Sequence, residues 1–145
     1  MADVRHLRVT LRWLQIKDRM EPFFKKKGEF VFSTRVTSAG KVFETRIPER
    51  GHWEITDHPR FNTVDNIDKV FFDGTTDGEL VIELRGEEID LFTPNDQLAP
   101  YRREFRGDPE RWVGRYAPDD EGSNDPENMS NWRICYDIEL VAAPR

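Results

Sequence analysis

The sequence predicts an all-β domain built as an antiparallel sandwich, and three observations carry that expectation. Apolar residues recur at every second position in several separate runs. Turn residues divide those runs at short intervals, and no segment before Thr93 keeps helical spacing. Side chains on a strand alternate between faces, so each run has one core face and one wetter face, as antiparallel sheets require.

In the first run Leu7, Val9, Leu11 and Trp13 alternate with Arg8, Thr10 and Arg12. The rhythm breaks where Trp13 and Leu14 are adjacent, and a bulge there would return Leu14 and Ile16 to the core face. Phe30, Phe32, Thr34 and Val36 make the second run, opposed by Glu29, Val31, Ser33 and Arg35. Weaker strands are expected over Lys41–Ile47, His52–Thr56 and Ile67–Asp73. Ser38-Ala39-Gly40, Asp73-Gly74 and Asp77-Gly78 read as turns. Leu80, Ile82 and Leu84 form a further strand. Trp132, Ile134, Tyr136, Ile138 and Leu140 form the last.

Between these last two lies a different segment, 93–131. Leu98, Tyr101 and Phe105 would line one face of a short helix. Asp108-Pro109-Glu110 and Asp125-Pro126-Glu127 each read as an N-cap followed by proline at the first helical position. The acidic run 119–125 separates them. The sequence therefore predicts a long loop and short-helix excursion before the final strand, within one domain spanning 1–145.

A chain of 145 residues fits a single core. Only 37% of residues are hydrophobic and 34% are charged, so that core leans on ten Phe and four Trp, each burying a large apolar area. The net charge of -6 argues against a nucleic-acid partner, because phosphate binding draws on a basic surface. A single cysteine, Cys135, excludes an intrachain disulfide and falls inside a strand as a small packed side chain. No run reaches the roughly 20 apolar residues that span a bilayer, and no apolar signal core follows Met1. These features predict a cytoplasmic protein, with peripheral membrane contact as an extension.

Candidate chemistry concentrates in loops. Glu88, Asp90 and Asp96, with Asn95, follow the strand ending near Arg85, where the chain must leave the sheet. Calcium takes six to eight oxygens in irregular geometry, and acids at this spacing in a turning loop can converge on one point. The same acids would otherwise form a solvated loop. Asp18 and Glu21, preceding Gly28-Glu29, offer a second acidic set, since Greek-key sandwiches gather loops from distant strands at one end. Between them lies Pro22-Phe23-Phe24-Lys25-Lys26-Lys27. Two rings followed by three lysines suit an anchor in an anionic phospholipid surface, although phenylalanines also fold back onto cores. His52, Glu54 and His58 are a weaker zinc or iron set, because His58 precedes Pro59 and no third histidine is near. No nucleophile elbow or glycine-rich phosphate loop occurs, so the sequence predicts binding, not catalysis.

Leu80-Val81-Ile82-Glu83-Leu84, followed by Glu88-x-Asp90 and Asn95-Asp96, resembles the fifth strand and third loop of C2 domains of the protein kinase C and synaptotagmin type. Lys41-Val42-Phe43-Glu44-Thr45-Arg46 is similar to that family's Lys-x-Phe-x-Thr-Lys strand. Gly28-Glu29-Phe30-Val31-Phe32 stands where the family has Ser-Asp-Pro-Tyr-Val. The resemblance covers about 7–98 and the final strand. It implies an eight-stranded Greek-key sandwich whose apical loops bind calcium and often phospholipid. It further implies Glu21, Glu29, Glu88, Asp90 and Asp96 as the calcium ligands. Glu21, Glu29 and Glu88 stand where the family usually has aspartate, and Phe30 replaces the proline. A calcium-independent protein-interaction or scaffold domain is the second expectation, with Trp112 and Tyr116 supplying an aromatic contact surface.

Overall fold

The computed structural model describes residues 5–16, 28–55, 63–89, 96–118, 126–129 and 132–141, with Gly28 and Asp96 described as backbone alone. Two antiparallel sheets pack face to face, and the only helical element among the described residues is one 3-10 turn.

The first sheet is built on β1 (Arg5–Ile16), which pairs with β11 (Trp132–Val141) on one side; β11 in turn pairs with β10 (Gly114–Tyr116). On its other side β1 meets β6 (Lys69–Thr76) and then β5 (Thr63–Val64). The second sheet is centred on β2 (Gly28–Ser38) and β7 (Glu79–Glu88). β3 (Lys41–Ile47) and β4 (Trp53–Ile55) lie end to end along β2, and β9 (Tyr101–Arg106) and β8 (Asp96–Gln97) along β7.

The alternating runs point as their sequence requires. Leu7, Val9 and Leu11 face Phe30, Phe32, Val36, Leu80, Ile82 and Leu84 across a dry interior, closed by Trp132, Ile134, Tyr136 and Ile138. Only the last position of that final run, Leu140, lies exposed. The bulge in β1 is present: Leu11 pairs with Tyr136 and Trp13 with Cys135, leaving Arg12 as the extra residue. Leu14 and Ile16 are thereby buried, as expected. Trp13 is not; the bulge turns it out of the core, and it stays half-buried.

Two turns keep their predicted places. Ala39 and Gly40, both at positive φ (51° and 74°), close the β2–β3 hairpin in two residues. Asp77-Gly78 carries the chain from β6 in one sheet to β7 in the other. Ser38 and Thr76 hydroxyls pin this corner by donating to the Glu79 carbonyl at 2.6 and 3.0 Å. Asp73-Gly74 is not a turn but part of β6. Asp73 accepts from His6 and Arg8, and Gly74 gives room to the Phe72 ring beside it.

The largest difference concerns the segment predicted as an excursion. It holds β8, β9 and β10 together with a 3-10 turn, Pro109–Trp112, capped by the Asp108 carboxylate accepting from the Glu110 amide at 3.0 Å. Tyr101 and Phe105 lie on one face of a strand rather than a helix, because a spacing of four satisfies both periods.

Candidate binding end of the sandwich

Strand direction decides which loops share an end. Arg5 of β1 pairs with Thr76, next to the Asp77-Gly78 corner, and Ser38 of β2 pairs with Leu80 just beyond it. That is the basal end. At the opposite, apical end Ile16 pairs with Trp132, Gln15 with Thr63, Gly28 with Ile55, and Phe30 with Glu88. The chain ends bordering segments 17–27, 56–62, 90–95 and 130–131 therefore all lie at one pole. The Ile89 amide donates to the Glu29 carbonyl at 2.7 Å, tying the start of segment 90–95 to the end of segment 17–27.

The predicted site residues divide accordingly. Glu21, Phe23, Phe24, Lys25, Lys26, Lys27 and Asp90 lie outside the described residues. Asp96 is described as backbone, in register with Glu88. Glu88 continues the inward face of β7 after Leu84 and Gly86 and is 1% exposed. Glu29 precedes the core residue Phe30 and so leaves the outer face, where its Oε1 lies 3.4 Å from His52 Nε2. Glu29 and Glu88 therefore share an end but not a face, and the expectation that both grip one ion is not met by this register. His52 faces Glu29, and His58 lies outside the described residues. Among the described residues no three His, Cys, Asp or Glu side chains gather closely enough to hold a metal ion.

Beneath this end sits a polar cluster that sequence reasoning missed. Glu127 is buried; its Oε1 accepts from Arg103 at 2.6 Å and its Oε2 from the Tyr101 hydroxyl at 3.1 Å. The Tyr101 and Tyr136 hydroxyls are 2.6 Å apart, and burial pushes both phenols well above their ordinary range. Arg103 lies over the Tyr116 and Phe105 rings at 4.7 and 5.3 Å, and Tyr116 stacks on Tyr136. Trp112 is buried against Phe105. These aromatics seal the gap between β9 and β10–β11. Of the two rings expected to offer an outward contact surface, Trp112 is buried, whereas Tyr116 packs on Tyr136 and stays partly exposed.

On the outer face of the first sheet Arg12 donates to Asp68 and Asp137 at 2.9 and 2.6 Å, and Arg115 donates to both oxygens of Asp137. Arg115 and then Arg12 hold the Asp137 carboxyl below its ordinary value despite opposing burial. Cys135 is fully buried, and burial raises its thiol, which fits a packed side chain. A depressed carboxylate binds fewer protons folded than unfolded. Its contribution is therefore present above the unfolded value near 4 and is lost as pH falls through the folded value. Asp137→Asn should cost about 1–2 kcal/mol at neutral pH and flatten the loss of stability below about pH 4. Urea titrations at several pH values check this, and an unchanged acid slope would refute it.

Comparison with protein-family profiles and with curated protein sequences gives no match. No helix among the described residues is long and apolar enough to cross a membrane.

Proposed function

We propose that this chain is a C2-like binding module that takes calcium at its apical end, between segments 17–27 and 90–96, without catalysing a reaction. The observation that carries this reading is the β2–β7 register. It brings the chain on either side of Glu21 and Asp90 to one pole, tied by the Ile89–Glu29 backbone bond. Strand order supports the eight-stranded Greek-key form that the resemblance implies. With β4 continuing β3, β5 continuing β6 and β8 continuing β9, each sheet offers four strand positions. Loops on a rigid sandwich end are where such domains place their binding groups.

In this reading Asp90, Asp96 and Glu21 supply ligands, while Glu29 faces away and takes no part. Bound calcium would offset the acidic rim, and Phe23 and Phe24 with Lys25, Lys26 and Lys27 would then meet an anionic phospholipid surface.

Calorimetric titration with calcium should give saturable heat at concentrations on the order of 1 mM or below. Asp90→Asn should abolish the heat and Glu29→Gln should leave it. Vesicles containing phosphatidylserine should pellet the protein only with calcium. No heat from the wild type, or equal loss in both variants, would end the proposal.

A further inference from the structure

The outer face of the second sheet carries its charges in rows. In one row Glu44, Arg35, Glu83 and Arg102 stand side by side across four strands with alternating sign. Arg35 lies 3.9 Å from Glu44, and Arg102 lies 3.3 Å from Glu83. The next row reads Arg46, Ser33, Arg85 and contains no acid. Arg46 donates to the Pro48 and Gly51 carbonyls, leaving its charge without a carboxylate among the described residues. Both rows end on β3, which pairs only with β2, so its outer edge is open among the described residues. That edge also carries Val42, the most exposed large apolar side chain among them.

We propose that β3 pairs antiparallel with β3 of a second copy about a two-fold axis at Thr45, joining the two second sheets into one. The Thr34 hydroxyl donates to the Thr45 carbonyl at 3.4 Å, so Thr45 turns its backbone toward β2. By alternation Glu44 and Arg46 turn theirs outward, where a partner strand must bond. With the axis at Thr45, Glu44 of each copy stands opposite Arg46 of the other. Phe43 stands opposite Ile47, where β3 and the pairing end. The acid missing from each copy's Arg46 row is thus supplied by Glu44 of the other. Neighbouring registers fail: an axis at Glu44 opposes two glutamates, and one at Arg46 opposes two arginines. Charges on an edge strand normally ward off pairing; here their order favours the Thr45 axis over the two that centre on a charge.

This interface is independent of the calcium reading, so sedimentation velocity of the full chain is run with chelator present. The wild type should show a species of twice the chain mass whose share grows with concentration. Glu44→Arg sets like charges opposite each other twice and should leave only monomer. Arg46→Glu, which sets two glutamates opposite each other twice, should also shift the balance to monomer, giving a second reading if E44R alters folding by circular dichroism. Glu104→Arg, at the far side of the same sheet, should leave the dimer intact. A wild type that is monomeric throughout, a dimer that persists in both E44R and R46E, or one lost equally in E104R overturns the proposal.

Discussion

Glu127→Ala is expected to cost about 3 kcal/mol, shifting the urea midpoint down by roughly 1–2 M. The expectation follows from what the carboxylate holds. One oxygen binds Arg103 and the other the Tyr101 hydroxyl, which in turn contacts Tyr136. Truncation would leave Arg103, over the Tyr116 and Phe105 rings and only partly exposed, without the carboxylate that balances its charge. It would also release the short segment 126–129, whose Glu127 carbonyl accepts from the Ile134 amide and whose Met129 amide donates to the Trp132 carbonyl. Glu127→Gln keeps the shape and loses the charge, so a smaller cost, about 1–2 kcal/mol, is expected. If E127A melts within about 0.5 kcal/mol of the wild type, in the range of ordinary surface substitutions, the cluster does not hold the β9–β10 gap closed.

The same cluster shows why part of the fold was illegible in the sequence. Where both sheet faces follow the simple rule of apolar inside and polar outside, alternation alone placed the strands. Leu7 to Leu11, Phe30 to Val36 and Leu80 to Leu84 are examples. In β9 the inward positions are Tyr101, Arg103 and Phe105, and the charged middle residue hides the alternation. Arg103 can face inward only because Glu127, 24 positions later, meets it there, and no local pattern announces a partner so distant. Trp13 shows the converse. Its spacing placed it with Leu11, yet the extra residue Arg12 turned it outward.

The candidate site divides along the same line. That acids cluster near Glu21 and near Asp90 is visible in the letters. That the chain around them reaches one pole depends on the β2–β7 register, which hairpin lengths do not fix because the chain visits both sheets between those strands. The opposite facing of Glu29 and Glu88 follows once Phe30 is set across from Glu88.

Gly86→Ala tests that register most directly. In an exposed strand this exchange would be neutral or mildly stabilising, because alanine gives up less backbone freedom on folding. Here Gly86 faces inward opposite Phe32, and an added Cβ would lie 2.5 Å from the Phe32 ring and 2.7 Å from Leu98 Cδ1. Neither neighbour can yield easily. Phe32 is held between Trp132 and Trp53 at centroid distances of 5.3 and 6.0 Å, and the Leu98 amide donates to the Gly86 carbonyl at 2.8 Å. Overpacking of this kind costs about 2–3 kcal/mol, so the melting temperature should fall by roughly 4–12 °C. Gly74→Ala is the internal comparison. Its nearest contact is the Phe72 ring at 3.3 Å, so a shift of a few tenths of an ångström suffices, and a cost below about 1 kcal/mol is expected. Because Leu98 follows Asp96 and Gln97 in the strand paired to Glu88, its displacement should also weaken any calcium heat in G86A beyond what G74A shows. A G86A protein as stable as G74A would mean that Phe32 and Leu98 do not converge on Gly86. The placement of the apical loops built on that convergence would then have to be redrawn.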